Sequence, residues 1–114
     1  KKAQQARTLI RNSFAAAFEK FDVVLTPTTP TTAFEIGKNT TDPITMYLND
    51  ICTVSVNIAG LPAISIPCGC DKENMPIGLQ LIAKPFGEDM LFKTAYAFEQ
   101  STDFSHKCLE GEGK

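Results

Sequence analysis

The sequence feature that most limits the fold of this chain is a pair of apolar runs separated by a turn. They cover residues 63–68 and 77–83, and a turn is expected between them at residues 71–76, which include Asp71, Asn74 and Pro76. Short apolar runs bounded by turn residues are typical of strands, and a short connection favours an antiparallel pair. Pro62 and Pro67 fall near strand ends, where a missing backbone donor is tolerated. The sequence therefore predicts two antiparallel strands.

The segment before these strands has the periodicity of a helix followed by a strand. Apolar residues recur at three- and four-residue steps over residues 2–21, which predicts an amphipathic helix. Residues 23–25 form a continuous apolar run that ends at Thr26 and Pro27, as expected for a strand buried on both faces. A helix that leads into such a strand indicates an α/β layered fold. The helical stripe consists of Ala3, Ala6, Ile10, Phe14, Ala17, Phe18 and Phe21.

A long connection follows, and then a helix. Residues 26–43 contain three Pro, one Gly and seven Thr, too many turn formers for a regular element, and their apolar members favour an ordered loop. Asp42 can cap a helix and Pro43 is tolerated at its first position. We therefore expect a helix over residues 43–58 that stops at Gly60.

The last predicted element is another helix. Acidic residues at 88 and 89 suit a first helical turn, and Leu91, Ala95 and Phe98 supply a buried stripe up to about residue 102. We expect residues 1–104 to be folded and residues 105–114 to be a flexible tail.

Charge and composition exclude several classes of function. Eleven Lys and Arg against 13 Asp and Glu give a formal charge of -2, so we expect no direct binding of nucleic acid. No run approaches the ~20 apolar residues that cross a bilayer, and the first residues lack the apolar core of a signal peptide. We expect no membrane contact, a cytoplasmic location and four reduced cysteines.

Few residues suggest chemistry by themselves. Motifs for phosphate loops, zinc helices and nucleophile elbows are absent, and the one histidine is His106. Cys68 and Cys70 with His106 and Cys108 would give four zinc ligands, but the spacing favours buried or idle thiols. Asp50 lies in an otherwise apolar and hydroxylic helical stretch, where an acid is either part of an exposed polar face or employed in binding.

Residues 56–69 (VNIAGLPAISIPCG) and 76–82 (PIGLQLI) resemble the C-terminal part of the amidase signature family, whose members hydrolyse carboxamides. Residues 42–50 (DPITMYLND), with the threonine- and proline-rich segment before them, are similar to the A subunits of glutamyl-tRNA(Gln)/aspartyl-tRNA(Asn) amidotransferases. The resemblance covers residues 1–104. It implies a C-terminal fragment of an α/β/α sandwich: helix, strand, long loop, helix, two strands, helix.

The resemblance also implies which functional residues lie in this segment and which lie in the rest of the parent protein. The family's Ser-Ser-Lys triad has no match in this segment, so no catalytic residue is expected here. Asp50 matches the acid that binds the α-ammonium of glutamine, for which a carboxylate is a suitable partner. Ser55 stands where relatives commonly have Pro. This segment would supply scaffold and substrate binding, without a cofactor or metal of its own.

For the parent, the resemblance implies hydrolysis of glutamine to glutamate and ammonia. The ammonia would pass to a B subunit that uses ATP and Mg to convert Glu-tRNA(Gln) to Gln-tRNA(Gln), or Asp-tRNA(Asn) to Asn-tRNA(Asn), with a small C subunit bracing the pair. The alternatives are a fragment of another amidase signature hydrolase and a non-catalytic structural module. The isolated chain is expected to be inactive and to self-associate through open strand edges.

Overall fold

The structure, a computed structural model, describes residues 1–38 and 42–104. The tail predicted at residues 105–114 lies outside this range. Two short helices stand where the sequence predicts one between the first two strands. The elements in chain order are α1 (Lys2–Phe18), β1 (Val23–Pro27), α2 (Pro43–Asn49), α3 (Ile51–Ala59), β2 (Ala63–Cys70), β3 (Pro76–Ala83) and α4 (Glu88–Ser101).

The described strands form one antiparallel sheet in the order β1, β3, β2. Thr26 of β1 and Ser65 of β2 both lie opposite Gln80 of the central strand. The two predicted strands pair with each other as expected, and β3 also pairs with β1. The last strand in sequence therefore occupies the centre of the sheet.

The strand β1 differs from its prediction in length and burial. It continues through Thr26 and Pro27, lies at one edge of the sheet, and leaves Leu25 63% exposed. Pro27 fits because alternate residues of β1 bond to β3, and the next donor, Thr28 N–H, reaches Gly78 O at 3.1 Å. The prediction of a strand buried on both faces was wrong, since β3 takes the central position.

Helices lie on both faces of the sheet. The helix α4 packs against β2 and β3, and α1 packs against α3 on the opposite side. Val56 and Ala59 of α3 are buried. The result is the layered α/β arrangement predicted from the sequence. The core on the α4 side consists of Ile66, Leu79, Leu81, Ala83, Leu91 and Ala95.

The helix α1 ends at Phe18 rather than at residue 21. The N–H groups of Lys20 and Phe21 both donate to Ala17 O, at 3.1 and 3.0 Å, which closes the last turn. The rings of Phe14 and Phe18 stack with centroids 6.4 Å apart, whereas Phe21 is 62% exposed beyond the helix. Only part of the predicted phenylalanine stripe therefore belongs to α1.

The carboxylate of Asp71 fastens the long loop to the turn between β2 and β3. It accepts hydrogen bonds from the Thr32 hydroxyl at 2.8 Å and from the N–H groups of Glu73 and Met75 at 2.8 and 2.9 Å. The bond from Met75, followed by that from Thr32, lowers the pKa of Asp71. The expected order of the loop thus has a physical anchor at Thr32.

Candidate functional site

Asp50 lies at the junction between α2 and α3. Its backbone has φ −96° and ψ 1°, which interrupts the helix predicted over residues 43–58. The N–H of Asp50 donates to Tyr47 O at 3.2 Å, and its carbonyl accepts from the N–H groups of Thr53 and Val54, both at 3.0 Å. Its side chain is exposed and makes no capping hydrogen bond to α3. The backbone of Asp50 is thus fixed by both helices, while its carboxylate remains exposed.

The start of α2 is fixed by Asp42, as the sequence predicts. The carboxylate of Asp42 accepts from Ile44 N–H at 3.1 Å and from the Thr45 hydroxyl at 2.6 Å, and Pro43 occupies the first turn. These bonds, that from Thr45 foremost, lower the pKa of Asp42. The end of α3 is also as predicted, because Gly60 has the left-handed φ of 70°.

Large apolar side chains surround the acid along the chain. Tyr47 is 68% exposed and Ile51 is 54% exposed, on either side of Asp50 in sequence. Exposed apolar side chains in such a group mark a surface that contacts something else. We call this group the α2–α3 surface: Ile44, Met46, Tyr47, Leu48 and Ile51.

The side chain of Asn49, next to Asp50 in sequence, also indicates that the junction between α2 and α3 makes further contacts. Its Nδ2 atom is buried and has no acceptor within the described residues. A buried donor without an acceptor costs about 1–3 kcal/mol. An acceptor from outside these residues would relieve that cost.

A row of polar side chains crosses the sheet beneath the start of α3. Gln80 Nε2 donates to Thr26 Oγ1 at 2.9 Å and to Cys52 O at 3.0 Å. Beside this contact, the hydroxyl oxygen of Thr28, two residues after Thr26, lies 2.6 Å from that of Ser65, which is opposite Gln80. They meet across the central strand because Gly78 has no side chain: a Cβ there would lie 2.9 Å from Thr28 Oγ1 and 3.0 Å from Ser65 Oγ.

Two serines of the long helices α1 and α4 make hydrogen bonds within their own helices. Ser13 and Ser101 donate to carbonyls of their own helices, Leu9 O at 3.0 Å and Ala97 O at 2.7 Å. Such bonds inside a helix serve local structure. His106 and Cys108 lie outside the described residues.

The cysteines correct one expectation. Cys52 and Cys68 carry free thiols, but Cys70 is part of a disulfide. The prediction of four reduced thiols was therefore wrong at Cys70, because sequence spacing does not reveal which sulfur atoms the fold brings together. Over residues 1–38 and 42–104, no group of three or more His, Cys, Asp or Glu is placed to hold a metal ion.

One cleft lies away from Asp50, between α1 and the end of β3. Its volume is about 440 Å³, and its polar lining includes Arg11, Asn12 and Lys84.

No helix in the described part of the chain is long and apolar enough to cross a membrane.

The amidase family model matches residues 1–92 of this sequence. The chain belongs to the amidase family. This confirms the resemblance stated for residues 56–69 and 76–82.

Relatives with a more specific name match most of the chain. The A subunit of glutamyl-tRNA(Gln) amidotransferase from Bacillus mycoides (strain KBAB4) is 56% identical over 107 residues, which make up 94% of this chain and 22% of that protein. The protein of the same name from Bacillus thuringiensis (strain Al Hakam) matches with the same identity and coverage. The chain therefore spans 22% of the length of these curated amidase relatives.

Solved structures confirm the α/β fold expected for this part of an amidase. The A subunit of glutamyl-tRNA(Gln) amidotransferase from Thermotoga maritima matches with a TM-score of 0.84 and 42% identity, over 89% of this chain and 22% of that one. The structure of 6-aminohexanoate cyclic dimer hydrolase matches with a TM-score of 0.73 and 24% identity, over 95% of this chain and 25% of that one. The second likeness concerns the fold alone.

Proposed function

We propose that this chain is the C-terminal portion of the A subunit of an amidotransferase that takes ammonia from glutamine. The ammonia converts Glu-tRNA(Gln) to Gln-tRNA(Gln), or Asp-tRNA(Asn) to Asn-tRNA(Asn). Support comes from the 56% identity to proteins named as that subunit and from residues 42–50, which carry the more specific resemblance.

The observation that carries the role of this segment is the position of Asp50. Two short helices fix its backbone while its carboxylate is exposed beside the apolar α2–α3 surface. When the rest of the protein and the substrate cover that surface, the carboxylate loses water and its attraction for a cation increases. Glutamine offers its α-ammonium, which pairs with a carboxylate through charge-assisted hydrogen bonds of about 2.7–2.9 Å.

Pairing at the α-ammonium orients glutamine for hydrolysis. The side-chain amide lies at the other end of the molecule and is free to reach a nucleophile. Holding the charged end fixes that amide in the geometry of attack, which lowers the entropic part of the barrier. Asp50 is thus a substrate-binding residue.

The remaining catalytic groups come from outside this segment. The serine nucleophile, its lysine base and the oxyanion donors belong to the other part of the full-length protein, so the 114-residue chain alone has no amidase activity. A B subunit uses ATP and Mg to activate the misacylated tRNA, and a C subunit braces the complex. This segment needs no cofactor of its own.

The test compares amide substrates in the full-length protein in complex with its partners. Ammonia release is measured with glutamine, asparagine and a simple aryl amide. We expect glutamine to be strongly preferred over the other two amides. Preference for the aryl amide would instead assign the chain to another amidase hydrolase, and absence of all turnover would assign it to a structural module.

A further inference from the structure

Gln80 is a buried polar residue on the central strand of an otherwise apolar core. It is 5% exposed, and the other buried core residues in the described range are apolar. Burying an amide without hydrogen-bond partners is unfavourable, so a residue of this kind is retained where its hydrogen bonds are made. Both hydrogen atoms of its Nε2 have an acceptor, at 2.9 and 3.0 Å.

These two bonds join three elements. Thr26 belongs to β1, Gln80 to β3, and Cys52 to the first turn of α3. Thr26 Oγ1 in turn donates to Pro27 O at 3.0 Å, so it accepts from Gln80 while its own proton is used. The amide of Gln80 is therefore held in one orientation by the sheet while it holds the helix.

The bond to Cys52 O matters because of where it acts. Cys52 is two residues after Asp50, and the carbonyl of Asp50 begins the same helix by accepting from Thr53 and Val54. Asp50 gives α3 no side-chain cap, and α3 has nine residues, too few to form a stable helix by itself. The contact with Gln80 is a fixed point between the sheet and the end of α3 that carries the acid.

We propose, resting on the function proposed above, that Gln80 is a positioning residue for Asp50. It sets the height and angle of the first turn of α3 over the sheet, and so the place of the Asp50 carboxylate relative to glutamine. Gln80 itself does not touch the substrate. Its loss displaces the binding carboxylate and leaves the nucleophile in place.

The test uses Gln80→Met in the full-length protein with its partners. Met has similar length and no amide, so the strand stays filled while both hydrogen bonds are lost. We expect KM for glutamine to rise by about tenfold while amidation with ammonium chloride is unchanged. Leu81→Met, at the next buried position of β3 but on the α4 side, is the matched control and should leave KM unchanged.

A double-variant cycle separates positioning from general destabilisation. In an Asp50→Asn background, Gln80→Met should raise KM no further, because the carboxylate that it positions is already absent. A full tenfold rise in that background, or an unchanged KM in the single variant, would overturn the role of Gln80. If Asp50→Asn alone leaves KM unchanged, the proposed function fails first.

A milder variant covers the case in which Gln80→Met does not fold. Thr26→Val keeps the volume on β1 and removes one of the two acceptors, which loosens the amide of Gln80. We expect about a threefold rise in KM for glutamine with ammonia-dependent amidation unchanged. Equal losses with both nitrogen donors would contradict the positioning role.

Discussion

Replacing Gly78 by Ala tests how closely the polar side chains fit across the sheet. The new Cβ would lie 2.9 Å from Thr28 Oγ1 and 3.0 Å from Ser65 Oγ, which are 2.6 Å from each other. Neither hydroxyl can move away from the new methyl group without breaking the hydrogen bond between the two hydroxyls. Overpacking of this kind costs about 1–3 kcal/mol, and a broken hydrogen bond adds about 0.5–1.5 kcal/mol.

One favourable effect opposes this cost. Ala loses less backbone entropy than Gly when a strand forms, by about 0.5–1 kcal/mol. The net expectation is a loss of about 1–3 kcal/mol in the free energy of unfolding. It is measured on the full-length protein as a lower urea midpoint at constant m-value.

The decisive comparison repeats Gly78→Ala in a Thr28→Ala/Ser65→Ala background. That background removes both hydroxyl oxygens and leaves Thr28 Cβ, 3.2 Å from the new methyl group, as the nearest side-chain atom. The cost of Gly78→Ala should then be clearly smaller, because only the 3.2 Å contact with Thr28 Cβ remains to be relieved. The same cost in both backgrounds would refute the steric explanation.

Three further predictions concern the loop anchor and the isolated chain. The pKa of Asp71 is lowered in the folded protein, so its contribution to stability is present above about pH 4 and is lost as the pH falls through the folded pKa. The difference in urea midpoint between the wild type and Asp71→Asn should therefore shrink on acidification. A difference that grows would contradict this sign. The 114-residue chain should release no ammonia from glutamine, asparagine or an aryl amide, and turnover that survives repurification would refute this. The isolated chain should self-associate through the exposed edge of β2, where residues such as Ala63 alternate with residues that bond to β3. Ala63→Lys should therefore lower the average molecular mass measured by sedimentation equilibrium, and a monomeric wild-type chain would refute the self-association.

The sequence was sufficient where a local signal decides the structure. Asp42 and Gly60 begin and end the helical region through their own capping geometry, and both were predicted. The two apolar runs were identified as antiparallel strands because a turn joins them. These features depend on neighbours in the chain.

The errors arose where distant residues decide the structure. Leu25 was expected to be buried, because the residues around β1 do not indicate that β3 takes the centre of the sheet and leaves β1 at its edge. The break at Asp50 contains neither Gly nor Pro, and only the weak helix formers Asn49 and Asp50 indicate it. Gln80 was overlooked, although a polar residue inside the apolar run at 77–83 was a usable signal.

Whether Asp50 pairs with the α-ammonium of glutamine is tested by comparing two ligands on two proteins. Affinity is measured for glutamine and for the analogue in which hydrogen replaces the α-amino group, on the wild-type full-length protein and on Asp50→Asn. The wild type should prefer glutamine by about 2–4 kcal/mol, or roughly 30-fold to several hundredfold, and Asp50→Asn should lose that preference. An equal preference for glutamine in both proteins would contradict the pairing of Asp50 with the ammonium.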